Sequence, residues 1–342
     1  MNTVKETFFK SYKPHGEMAI DEGMIKFAGR NSMKQYMPAK PVKRGVKVWM
    51  RCESKTSYLT KFNFYMGKSD KTYENGLGHG VVTELTDDLR GKHHHVYFNN
   101  FFTSVKLLKD LLKDGIYSCG TVRQNRRHFP DEMQRGDSKI VQSASKRNIT
   151  AVIWQDKKQV SMLSSLSPPQ DILEASRRIG NNRVQLNQPH SVHSYNKYMN
   201  GVDKHDQYRL KYDVSRESKR WWKYLFFFLV NCAIVNAYIL YSLSSKRRTQ
   251  HKQFTHLDFR RELARALVGG FTSRKRSAMC DIQDIPVANA NVRLHCNTHM
   301  GKARRCKVHS KSGKRKETVY GCELCGVHLC KEGCHAKFHN TQ

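Results

Sequence analysis

Apolar and polar residues alternate over the first part of the chain, broken by polar turns, and this predicts a meander of strands at residues 17–27, 45–54 and 58–65. Residues 1–13, ahead of it, are polar with the spacing of an amphipathic helix. The period then changes. Residues 76–80 read as a turn, 81–90 as a helix and 95–98 as a short apolar strand. Over 104–114 the apolar positions Val105, Leu108, Leu111 and Leu112 fall on one helical face; Gly115 stops that helix, and 116–122 return as a strand. A meander followed by strand–helix–strand predicts an α/β domain with a mixed sheet.

Beyond residue 122 the pattern loosens. Residues 1–122 form the first part of a core, and 123–178 read as an insertion of polar, basic loops around two short strands. Those strands, 150–155 and 159–164, are joined as a hairpin at Asp156-Lys157-Lys158. Residues 179–245 complete the core as helices, 246–292 form a basic linker with one helix at 255–267, and 293–342 make a cysteine-rich module. The run Trp221–Leu243 is long and apolar enough to raise a membrane span. Asn231 and Asn236 interrupt it and would need partners in lipid, so the expectation is a buried core helix and no membrane partner.

Charge narrows the choice of partner. The 342 residues hold 61 Lys and Arg against 29 Asp and Glu, a formal net charge of +32. Such an excess points to a polyanion, with DNA as the leading expectation and a basic face for anionic membranes as the alternative. Of ten cysteines, Cys52, Cys119 and Cys232 sit in apolar or mixed settings as buried thiols, and Cys280 sits in the linker. The rest crowd among histidines, which is metal-site usage in a reducing compartment. No signal peptide is read at the start, and the basic runs 273–276 and 311–316 suit nuclear import.

Cys306, His309, Cys322, Cys325, Cys330, Cys334 and His339 supply seven soft ligands, with two-residue spacers that let a pair grip one tetrahedral Zn²⁺ from a tight turn. A second Zn²⁺ needs an eighth, with His335, His299, His295 and Cys296 as candidates. Interleaved pairing is expected, with the partners unassigned.

Three acids stand out in the core. Asp21 lies in an apolar strand, where a charge must be paired or metal-bound. Asp203 and Asp206, three apart, share a helix face, although Asp203 also fits a helix N-cap. Convergent carboxylates are what a pair of Mg²⁺ or Mn²⁺ ions about 4 Å apart would need for cutting and joining DNA strands. His93-His94-His95 reads as a surface turn, since consecutive strand residues cannot all face one metal.

The phrases IDEGMIKFAGR, NNFFTS and YNKYMNGVDKHDQ, in that order and followed by the cysteine cluster, resemble the piggyBac family of DNA transposases. The likeness spans roughly residues 4–243 and 293–340. It implies an RNase H-like mixed sheet core, with Asp21, Asp203 and Asp206 as the first, third and fourth catalytic aspartates. It also implies a C-terminal cysteine-rich domain that binds transposon-end DNA, with His309 where a cysteine is commoner. Family members carry a DNA-binding and dimerisation region upstream of the point where the likeness begins, so a second copy or a full-length transposase is an expected partner. One departure matters most. Asn99 stands where the family has its second aspartate, and a neutral ligand beside two cations should cost cleavage heavily. The expectation is a DNA-binding protein that has lost catalysis. The alternatives are an active transposase, with Glu22 or a neighbouring acid compensating, and an interaction protein whose core is scaffold for a zinc module.

Overall fold

The computed structural model describes residues 2–27, 29–38, 40–67, 73–123, 133–142, 148–166, 172–244, 254–269 and 295–339. The chain divides into two compact units, Met1–Gly270 and Phe271–Gln342. Cys280 and the basic run 273–276 lie outside the described residues.

The first unit begins with α1 (Asn2–Ser11), β1 (Glu17–Lys26), β2 (Lys34–Tyr36), β3 (Arg44–Glu53) and β4 (Leu59–Phe64). It continues through α2 (Leu77–Thr86), a 3-10 turn at Asp87–Leu89, β5 (His95–Phe98), α3 (Val105–Lys113) and β6 (Tyr117–Thr121). Next come β7 (Ser138–Gln142), β8 (Thr150–Gln155), β9 (Gln159–Ser164) and the hairpin β10 (Ile172–Ile179) and β11 (Asn182–Pro189). Helices α4 (His190–Tyr198), α5 (Gly201–Lys211), α6 (Trp221–Leu243) and α7 (His256–Val268) follow. A nine-stranded mixed sheet runs β2-β3-β1-β5-β6-β9-β8-β7, with β4 also paired to β3. β1 is antiparallel to β3 and parallel to β5, and β5 is parallel to β6. The meander and the strand–helix–strand unit therefore form one mixed α/β core. The stretch read as an insertion adds β7–β9 to the edge of this same sheet through β6.

The sheet is buried on both faces. Ile20, Trp49 and Phe98 pack with Val82, Leu85, Leu107, Leu108 and Leu111 of α2 and α3. Ala19, Ile25, Val48, Met50 and Cys52 pack on the other face with Val202, Phe228 and Cys232 of α5 and α6. Inside the sheet, Arg51 is 1% exposed and donates to both carboxylate oxygens of Asp88, at 2.7 and 2.8 Å, and to Thr60 Oγ1. Burial raises the Asp88 carboxyl, but the Arg51 guanidinium outweighs it and holds the group down at about 2.

Helix α6 buries one stripe, Phe228, Cys232, Val235 and Ile239, at helical spacing. Its two asparagines are the reason it belongs to this core. Asn236 accepts from Leu59 N–H and donates to Leu59 C=O, both at 2.9 Å, so one side chain caps the backbone of β4. Asn231 donates to Asp213 at 2.6 Å and accepts from Val214 N–H.

The second unit is small: β12 (Asn297–Arg305), α8 (Lys307–Lys311), β13 (Glu317–Cys322), β14 (Val327–His328) and α9 (Cys334–His339). Its buried cluster consists of Leu329 and four cysteines, with Val308, Cys325, Val327 and Phe338 partly buried against them. That is very little apolar surface for a free-standing fold.

Candidate functional site

Two places gather ligand-type side chains, one in each unit.

In the first unit the site forms where β5 ends one residue before Asn99. β1 and β5 run parallel with Ile20 opposite Phe98, so Asp21 and Asn99 come side by side at the strand tip. The phrase after the strand is a turning device. Asn99 Oδ1 accepts from Phe101 N–H at 2.9 Å, Thr103 Oγ1 donates to Asn99 C=O, and Ser104 caps α3 by accepting from Leu107 N–H. Phe102 is buried in the core, whereas Asn100 is exposed in the turn. The acceptor role toward Phe101 fixes which way the Asn99 amide faces, because a flip would set N–H against N–H. Nδ2 is thus turned to the acids, donating to Asp21 Oδ1 at 2.9 Å and to Glu22 Oε2 at 3.3 Å.

Asp21 and Glu22 are both buried, at 7% and 8% exposure. Strand alternation sends them to opposite faces, but β5 stops at Phe98, and Glu22 reaches round the open end to the same amide. Burial pushes the Asp21 carboxyl up to about 7, the Lys40 ammonium works against that, and the Glu22 charge adds to it. Lys40 Nζ stands 3.5 Å from Asp21 Oδ2 and donates to Glu22 C=O at 2.9 Å. From α4, Tyr195 closes one side, its hydroxyl pushed up to about 12 by burial and by the nearby Asp21 and Asp203 charges.

Helix α5 carries the other two acids and is seated closely on β1 and β3. A Cβ on Gly201 would stand 3.1 Å from Ala19 Cβ and 3.3 Å from Glu53 C=O, so glycine permits that approach. His205 is fully buried and hydrogen-bonds Ser57 C=O at 3.0 Å, with burial driving its ring down to about 3. Asp203 lies inside the first turn, after Asn200 at the cap, so the N-cap alternative does not apply to it. Asp203 and Asp206 line one cavity of about 210 Å³ with Lys40 and Met24. Asp206 is bound to buried Arg209, 3.0 Å away, and lies over Gly23, where a Cβ would come within 3.3 Å of Asp206 Oδ2.

The structure therefore brings Asp21, Asn99 and Glu22 into direct contact, while Asp203 and Asp206 share a cavity with Lys40. This set does not fit a divalent cation as it stands. Asn99 presents N–H groups and not oxygen to the acids, and Asp206 is already paired. Lys40 and Arg209 were not anticipated from sequence; each gains its role from segments far apart in the chain. His93 is exposed, in a turn with φ of 55°, and His95 opens β5.

The second unit gathers donors differently. His295, Cys322, Cys325 and His339 form one set and Cys306, His309, Cys330 and Cys334 another, each with all donor atoms within 4.8 Å of one another. Among the described residues these are the two such sets. Along the chain the members interleave, and His295 is the eighth donor; Cys296, His299 and His335 belong to neither set. Cys322 and Cys325 Sγ lie 3.4 and 3.1 Å from His295 Nδ1, and Cys334 and Cys330 Sγ lie 3.4 and 3.6 Å from His309 Nδ1. Around a tetrahedral ion with standard bond lengths, sulfur and nitrogen ligands sit about 3.5 Å apart. His339 turns Nε2 to Cys325 and bonds His335 C=O through Nδ1 at 2.8 Å, which fixes its tautomer for ligation. Burial raises the Cys306 thiol, yet hydrogen bonds from the His309 backbone and ring outweigh it and bring it down to about 6. Both sets could hold a metal ion.

A mixed sheet with Asp21 on β1 beside Asn99 at the end of the parallel strand β5, followed by a cysteine-rich unit, has a transposase-type fold. Residues 1–238 match the family described as Transposase IS4, and the chain belongs to this transposase family. Its relatives there are of the piggyBac kind. Human PiggyBac transposable element-derived protein 3 is 27% identical over 346 residues, covering 94% of this chain and 55% of that protein. Human PiggyBac transposable element-derived protein 2 is 30% identical over 276 residues, covering 75% of this chain and 45% of that protein. The chain thus spans about half the length of these relatives. Among solved structures, a piggyBac transposase in a synaptic complex with hairpin DNA aligns with a TM-score of 0.69 and 26% identity, over 96% of this chain and 71% of that one.

Proposed function

We propose that this chain is a piggyBac transposase-derived DNA-binding protein whose core no longer cuts and joins DNA strands. One observation carries the reading. The side chain that stands where the second aspartate belongs is an amide, and it donates to the two acids beside it in place of offering them a metal ligand. The net charge of +32 and the DNA complex formed by the structural relative support DNA as the partner. We further propose that the two interleaved Cys/His sets hold structural Zn²⁺, on the chemistry of four soft ligands each. Arg304, Arg305 and the lysine-rich stretch 311–316 give this unit a basic surface for the same partner. DNA binding would place the protein in the nucleus, with a second copy or a full-length transposase as its protein partner.

Nicking of supercoiled plasmid with Mg²⁺ or Mn²⁺ tests the loss of catalysis, comparing the native chain with Asp21→Ala, Asn99→Asp and Asn99→Asp/Asp21→Ala. No nicking by the native chain is expected. Nicking that disappears in Asp21→Ala would identify an active transposase instead. DNA affinity should fall steeply with salt, by about 10³-fold or more between 50 and 200 mM if several phosphates are contacted. Binding that survives removal of residues 293–342 would argue against a core that is only scaffold.

A further inference from the structure

We propose that the Asn99 amide and the Lys40 ammonium replace the divalent cation at the core site, so that this centre folds and rests without a metal. The inference goes beyond loss of catalysis: it concerns what holds the acids together and is independent of DNA binding. Two buried carboxylates, Asp21 and Glu22, meet at one point and need compensation. Asn99 Nδ2 gives each a hydrogen bond, at 2.9 and 3.3 Å. Lys40 supplies the positive charge, 3.5 Å from Asp21 Oδ2, and is held there by its bond to Glu22 C=O. Asp21 Oδ1 also accepts from Glu22 N–H at 2.8 Å. A further acid, Asp206, is neutralised by Arg209.

The consequence is specific. In the Asn99→Asp variant the new carboxylate could still accept from Phe101 N–H, as the amide does, but its second oxygen would face two carboxylates with no proton to give. Three acids against two lysines, Lys40 and the neighbouring Lys47, would then favour a cation, and the core's stability would become metal-dependent.

The test uses the full, zinc-loaded chain without chelator and Mn²⁺ as the probe. Bound Mn²⁺ is read by electron paramagnetic resonance and Tm by thermal melting, for native, Asp21→Asn, Asn99→Asp and Asn99→Asp/Asp21→Asn. The native chain should show no Mn²⁺ site that Asp21→Asn removes, and no shift of Tm with Mn²⁺. Asn99→Asp should melt on the order of 5 °C lower without Mn²⁺, recover with millimolar Mn²⁺ and gain a site. The double variant should lose both the deficit and the response. An Mn²⁺ site in the native chain that depends on Asp21 overturns the proposal, as does an Asn99→Asp chain with unchanged Tm and no response. Should Asn99→Asp fail to fold even with Mn²⁺, the native and Asp21→Asn pair decides. Asp21-dependent Mn²⁺ binding without nicking would overturn this inference alone and leave the loss of catalysis standing.

Discussion

The core site and the cysteine module bring polar ligands together in opposite ways. In the module, eight donors converge in two sets of four, and the buried cluster around them is mostly the cysteines themselves. Among the described residues, Leu329 is the one buried apolar side chain of that cluster that is not a cysteine. In the core, three of the four acids already have a partner from the chain: Asn99 and Lys40 for Asp21, Asn99 for Glu22, Arg209 for Asp206. Large apolar layers on both faces of the sheet hold that region independently of its acids. On the readings proposed above, one region is built around an ion and the other dispenses with one. Family membership alone would lead one to expect metals in both.

The largest effect should come from breaking the module. Structural zinc contributes about 10–16 kcal/mol in comparable small domains, so Cys322→Ser should release one ion and unfold the unit. Zinc content and protection from proteolysis would report this, while the core Tm stays unchanged. A module that keeps its fold without zinc would remove the contrast.

In the core the largest loss should follow from an internal ion pair. Asp88→Ala leaves the Arg51 guanidinium buried without its counter-charge and should cost about 3–5 kcal/mol in denaturant melts. A cost under about 1 kcal/mol would mean that Arg51 is compensated by Thr60 and the Leu85 carbonyl alone. Next comes Asn236→Ala, which strips two hydrogen bonds from the Leu59 backbone and should cost about 1–3 kcal/mol. Insensitivity there would show that β4 does not depend on α6.

A smaller effect should appear with pH. His256 is buried and accepts Arg260 Nε–H on Nε2 at 2.9 Å, so its ring is neutral in the fold. Burial, then the charges of Arg260 and Lys211, push it down to about 4 from an ordinary 6.5. Between those values the unfolded chain takes up the proton and the folded chain does not. Stability is therefore complete above pH 6.5 and declines toward pH 4. Tm against pH should be flatter for His256→Gln over this window; an unchanged slope would locate the titration elsewhere.

Sequence alone determined the elements whose partners are close in the chain. Alternation marked β1, β3 and β4, periodicity marked α3, and the Asp156 turn marked the β8–β9 hairpin. Thr255 with Asp258 forms a capping box that starts α7 where the pattern indicated a helix. Seven soft ligands were legible because cysteine and histidine at short spacings have few other uses. Strands such as β2, β7 and β11 were not legible, since much of β11 is exposed and carries no apolar rhythm; a strand of that kind exists because a neighbour offers it backbone partners. The same holds for the functional sites. Which four donors share a set, that Glu22 joins Asp21, and that Lys40 pairs with Asp21 depend on where β5 ends and how distant segments meet. Local spacing carries no record of those distances, so only the tertiary structure could decide them.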